Sequence, residues 1–144
     1  MSSNNNPGHV LASAVDAEIA KFRQLQQDLA AVRQDLSTVL QQETENEMVF
    51  MELQAVDADT GVVYKQLGPV LLKQDLSEAK QTVEKRLEFI RSEKERLETK
   101  VADTEKAGNT LAQKIQQMQA GLQQTTADAV RAIASQHGGT TAAS

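Results

Sequence analysis

Apolar residues recur three and four positions apart through most of this chain, and the recurrence is interrupted once. It runs through Leu11, Val15, Glu18, Phe22, Leu25, Leu29, Val32, Leu36, Val39, Glu43, Asn46, Phe50 and Leu53, and ten of these thirteen positions are apolar. It resumes at Leu76 and continues through Lys80, Val83, Leu87, Ile90, Lys94, Leu97, Val101, Thr104, Gly108, Leu111, Ile115, Met118, Leu122 and Thr125. Residues so spaced share one stripe of an α-helix, and a stripe kept over about six heptads marks a coiled-coil seam. The pattern predicts one helix over about 11–54 and a second over about 75–134, roughly 65 Å and 90 Å long at 1.5 Å per residue. Asp75 with Glu78 three residues on resembles a capping box, with Asp in place of Ser or Thr, and sets the start of the second helix. Its outer face offers Arg91–Glu95 and Lys94–Glu98 at i,i+4 spacing, pairs that give a helix about 0.2–0.5 kcal/mol each.

The interruption reads GVVYKQLGPVLLKQDLSEAK from Gly61 to Lys80. Val62-Val63-Tyr64 and Val70-Leu71-Leu72 are β-branched or bulky runs, and Leu67-Gly68-Pro69 between them punctuates a turn that no helix crosses. A β-hairpin over about 61–73 is predicted, with the run Asp57-Ala58-Asp59-Thr60-Gly61 ending the first helix. Apolar residues fall on both strand faces: Val62 and Tyr64 on one, Val63 and Leu67 on the other. That suits strands covered on both sides. A lone two-stranded hairpin is marginal in water, and its free edges are templates for another chain. Obligate oligomerisation through Val62, Val63, Tyr64, Leu67, Gly68, Pro69, Val70, Leu71 and Leu72 is therefore expected. The fold class expected is mainly α: a long antiparallel two-helix coiled coil joined by a single β-hairpin that contributes to an intersubunit β-barrel. Folding back near Tyr64 would bring Val39 near Ile90, Leu29 near Val101 and Phe22 opposite Gly108. The last turns of the second helix, with Leu122, Val130 and Ile133, would then lack an intramolecular partner. Gly108 reads either as a flex point or as a tight packing spot.

Composition narrows the function classes. Four aromatics (Phe22, Phe50, Tyr64, Phe89) and no Trp do not suit a compact globule. A net charge of -5 disfavours nucleic acid, whose phosphates are bound mainly by cations. Absent cysteines exclude disulfides, thiol nucleophiles and Cys-held metal. No apolar run reaches the roughly 18 residues of a membrane span, and the first residues lack the basic and apolar regions of a signal peptide. Residues 1–9 and 136–144 are polar and read as disordered tails. His9 and His137 fall in those tails without acidic or Cys neighbours, so neither catalysis nor metal binding is expected of them. The acidic residues Glu43, Glu45, Glu47, Glu52, Asp57 and Asp59 suit a solvated face, and Asp57-x-Asp59-x-Gly61 lacks the further ligands of a calcium loop. No catalytic, cofactor or metal residue is expected, and no enzyme, because two paired helices offer no concave pocket with convergent polar groups.

The residues Asn46-Glu47-Met48-Val49, Glu52-Leu53, Asp57, Val63-Tyr64-Lys65, Leu67-Gly68-Pro69-Val70-Leu71, Lys73-Gln74-Asp75-Leu76, Glu78-Ala79, Val83 and Lys85-Arg86-Leu87 resemble the β-type subunits of prefoldin. The likeness is dense over about residues 45–98 and periodic elsewhere. It implies a prefoldin β-type domain over 10–135 and a place in a heterohexamer of two α-type and four β-type subunits, whose hairpins form a double β-barrel body. It also implies an ATP-independent co-chaperone. Coiled-coil tips of this family hold unfolded proteins, actin and tubulin above all, and pass them to the cytosolic group II chaperonin. The implied location is the cytoplasm, with a nuclear pool open. As single residues Leu11, Val15, Ile19, Ile115, Met118 and Leu122 read as ordinary seam positions; the resemblance makes their region a client-binding tip. The alternative is a coiled-coil scaffold or tether in another prefoldin-like complex.

Overall fold

The computed structural model describes residues 6–138. Four elements follow one another: helix α1 over Pro7–Ala55, strand β1 over Val63–Leu67, strand β2 over Val70–Gln74 and helix α2 over Leu76–Gly138. They fall into two compact units. A hairpin unit covers Ala30–Ala102; a terminal unit combines the chain up to Leu29 with the chain from Asp103 onward.

The heptad stripe is the buried stripe. Every seam position, the polar ones included, is buried or half-buried, while most residues between them face solvent; Ala79, beside the seam at the start of α2, is buried as well. In the hairpin unit Glu43 meets Lys94 and Glu47 meets Arg91, so a step forward on α1 is a step back on α2. The two segments run antiparallel. The terminal unit repeats this, with Glu18 beside Lys114 and Gln26 beside Gly108. The driving force is apolar burial: Val32, Val83, Leu87, Ile90 and Leu97 are buried in the hairpin unit, and Val15, Leu29 and Ile115 in the terminal unit. A fully covered side chain of this size contributes about 1.5–3 kcal/mol.

The helix ends have local causes. Pro7 sits at the first helical position, where its missing N–H costs nothing, and the Asn6 side chain accepts from the Gly8 N–H at 3.2 Å. Residues 7–9, expected in a disordered tail, are therefore helical. Residues 136–138 are helical too, because the Ala-rich run before Gly138 contains no breaker; residues 1–5 and 139–144 lie outside the described part. Asp75 caps α2 as expected, accepting from the Glu78 N–H at 3.4 Å. At the end of α1, Asp57 Oδ1 accepts from the Asp59 N–H at 2.8 Å and from that of Thr60 at 3.4 Å. Those two donors hold the Asp57 carboxyl below the usual carboxylate range. The Gly61 N–H closes the turn on Asp57 O at 2.8 Å, so closely that a Cβ on Gly61 would meet Val56 Cγ1 and lie 2.5 Å from Asp57 O.

Between the helices β1 and β2 pair antiparallel, Val63 with Gln74 through Leu67 with Val70. Gly68 takes φ 58°. Pro69 after it is fixed near −65°, so the two-residue turn is type II′, which matches the twist of the flanking strands. The centre of the fold-back is thus Gly68–Pro69, not Tyr64. This moves the helix register. Glu43 faces Lys94, and Gln26 rather than Phe22 approaches Gly108, its Nε2 lying 4.0 Å from where a Cβ would stand. Gly108 is buried, but a Cβ there would meet only the end of the Gln26 side chain, at 4.0 Å, so tight packing does not require a glycine at this position.

Candidate functional site

The hairpin is held at both ends and, between Tyr64 and Lys73, left uncovered. Asp57 and Gly61 set its entry and Asp75 its exit, yet Tyr64, Leu67, Val70 and Leu71 stay 58%, 49%, 52% and 63% exposed. Cross-strand partners share a face, so Val63, Lys65 and Leu67 stand with Val70, Leu72 and Gln74, and Tyr64 and Gln66 with Leu71 and Lys73. Both faces carry apolar groups. With only two strands in the sheet, the outer edges of β1 and β2 also leave backbone donors and acceptors unpaired. All nine residues expected to drive assembly lie here: Val62 just before β1, Gly68 and Pro69 in the turn, the others in the strands.

The same unit exposes apolar side chains off the seam: Leu40, Met48, Val49 and Met51 on α1 and Phe89 on α2. A reading along the stripe passes over them. Their signal was apolar identity at positions the stripe does not need.

The six residues expected at a client-binding tip belong to the terminal unit, five of them in its seam and Ile19 beside it. Val15 and Ile115 are buried there, and Leu11, Ile19, Met118 and Leu122 are half-buried. Met118 and Leu122 approach the last seam position, Thr125, after which the described part of α2 is fully exposed, Val130 and Ile133 included. Val10 near the start of α1 is exposed as well.

Two charged pairs punctuate the seam. Glu18, 9% exposed, accepts from Lys21 Nζ at 3.1 Å and Lys114 Nζ at 3.2 Å. Hydrogen bonds from Lys21 and then Lys114 hold its carboxyl below the usual glutamate range, against the opposing pull of desolvation. In the hairpin unit Lys94 Nζ donates to Glu43 Oε1 at 3.0 Å and lies 2.9 Å from Oε2. That hydrogen bond pushes the lysine above its ordinary value. Polar partners inside a seam fix register, because sliding either helix leaves a charge against apolar neighbours. Arg91 and Lys94 thus reach across to α1 instead of pairing along α2 with Glu95 and Glu98. Of the acidic residues read as a solvated face, Glu43 and Glu47 hold cations and Asp57 caps a turn.

Among the described residues no group of three or more His, Asp or Glu is placed to hold a metal ion, and no helix is long and apolar enough to cross a membrane. His9 is exposed near the start of α1, and His137 lies in the last turn of α2.

An antiparallel helix pair carrying an uncovered β-hairpin defines a protein whose surfaces are made for other chains. Comparison with known proteins assigns it. The Prefoldin subunit family profile matches residues 16–122, and the chain belongs to that family. "Probable prefoldin subunit 6" of Caenorhabditis briggsae is 41% identical over 75% of this chain and 84% of its own length. "Prefoldin subunit 6" of Homo sapiens is 36% identical over 82% and 91% respectively. The crystal structure of the prefoldin beta subunit from Thermococcus strain KS-1 superposes with a TM-score of 0.49 at 24% identity, over 78% of this chain and 91% of that one. Prefoldin subunits are chaperone subunits and not enzymes, and membership implies assembly with other prefoldin subunits.

Proposed function

We propose that this chain is a β-type subunit of a heterohexameric, ATP-independent co-chaperone in the cytoplasm, with a nuclear pool. The complex captures unfolded proteins such as actin and tubulin at the coiled-coil ends and delivers them to the group II chaperonin. The hairpin (Val62, Val63, Tyr64, Leu67 to Leu72) joins an intersubunit β-barrel with the hairpins of two α-type and further β-type subunits. Its exposed apolar faces and two unpaired edges are the observation that carries this reading, since a hairpin so uncovered is not stable on its own.

Clients are held at the terminal unit. Val10, Val130 and Ile133 offer apolar surface continuously; Leu11, Val15, Ile19, Ile115, Met118 and Leu122 join them where the helices part. Met118 adapts to varied partners because its side chain is flexible and polarizable. Each contact is weak, and several subunits around one client raise the effective concentration. Removing residues 1–20 and 118–144 from this chain in the co-expressed complex leaves the hexamer intact while suppression of client aggregation falls. Unchanged suppression contradicts the placement of the client site.

A further inference from the structure

A groove runs along one flank of the seam in the hairpin unit, floored by Phe50 and Leu87. Met51, 67% exposed, forms one wall, and Glu47, Glu84, Glu88 and Arg91 form the rim. Arg91 is spent on Glu47 at 3.0 Å. Among the described residues no cation pairs with Glu84 or Glu88. These two carboxylates stand at i,i+4 on α2, and none of Lys80, Lys85 and Arg91, their neighbours at helical spacing, forms an ion pair with them. An apolar floor, an adaptable methionine wall and a rim with unmatched negative charge together fit an apolar side chain flanked by Lys or Arg.

The groove belongs to the same compact unit as the hairpin, and Met48 and Val49 carry further exposed apolar surface beside Met51 on α1. In a chain whose family assembles with other subunits, that unit is the one carrying the proposed assembly surface. We infer that the groove seats an apolar side chain with a basic neighbour from an adjoining prefoldin subunit, extending the intersubunit contact from the hairpin onto the helix roots. The inference rests on the hairpin being the assembly surface.

Photo-crosslinking in the co-expressed assembly tests it, with Met51→p-benzoylphenylalanine in one sample and Leu71→p-benzoylphenylalanine in another. The expected result is a two-subunit adduct from both positions, with the position 51 adduct mapping to a segment that contains Lys or Arg. A position 71 adduct without one at 51, or a position 51 adduct only with client or chaperonin, overturns the groove assignment and leaves the hairpin reading standing. Absence of both adducts overturns the two together. A Glu84→Lys/Glu88→Lys chain should leave the assembly at a concentration at least tenfold higher than the unaltered chain, with helix content unchanged by circular dichroism. Equal retention of the doubly reversed chain also overturns the assignment.

Discussion

The hairpin unit and the terminal unit use the same heptad stripe to different ends. Among the described residues, six of the nine buried apolar side chains and eleven of the fourteen large apolar side chains left exposed belong to the hairpin unit. It is the better packed inside and the more adhesive outside. The terminal unit has a thinner core, a charged Glu18 among its buried positions, and, among the described residues, no seam beyond Thr125. A part that stays assembled needs a firm scaffold under a large apolar surface. Few buried apolar contacts leave the terminal unit the more pliant of the two, which suits the client site proposed for it.

Truncating the same residue type in each unit should break that contrast or sharpen it. Leu87→Ala empties a position only 4% exposed, and its expected cost is about 2–5 kcal/mol. Leu122→Ala, half-buried near the end of the seam, should cost about 1 kcal/mol or less, since much of its surface is already wet. Urea unfolding of the assembled protein, followed by hydrogen exchange along α2, measures both. Equal losses would dissolve the distinction. The turn comes next. Gly68→Ala places a Cβ on a residue at φ 58° and should cost about 1–2 kcal/mol, read as faster exchange in β1 and β2 with α1 and α2 unaffected. Asp75→Ala removes the cap of α2 and should cost about 0.5–2 kcal/mol, confined by exchange to the first turn of that helix.

The smallest effect expected is in pH. Glu18 titrates below its unfolded value because Lys21 and Lys114 favour its charged form. Its contribution is therefore complete above the unfolded value and is lost as pH falls through the lowered one. Lys94 behaves oppositely: its value is raised by Glu43, so its contribution is complete below the unfolded lysine value and is lost as pH rises through the raised one. Exchange around Glu18 should accelerate on acidification below the usual carboxylate range, with a smaller step in Glu18→Gln. Exchange around Lys94 should accelerate only under strongly alkaline conditions. An identical acid profile in Glu18→Gln would remove the carboxylate from the seam's stability.

The seam was legible in the sequence because burial on a helix follows spacing alone; even Glu18, Glu43 and Lys94 fell on it. The register was not. A heptad stripe slid along its partner still presents apolar groups at every turn, and the Gly68-Pro69 turn with the cross-helix pairs of Glu18, Glu43 and Glu47 chooses among the slides. Asn6-Pro7 was a readable helix start hidden by the polar residues before it. The hairpin's exposure followed from apolar residues on both strand faces. The groove at Met51 did not, because it needs two helices set side by side. The burial of Val15 and Ile115 also shows why a tip cannot be read from apolar identity alone.

The central claim, that the uncovered hairpin is what joins this chain to its neighbours, is tested most directly by the mass of the assembly. Co-expression with candidate partner subunits should yield a sixfold heteromer containing this chain. A Val63→Asp/Val70→Asp chain should be missing from that heteromer while its circular dichroism keeps the helices. A heteromer that retains the doubly charged chain, or an unaltered chain that is stable as a monomer, would contradict it.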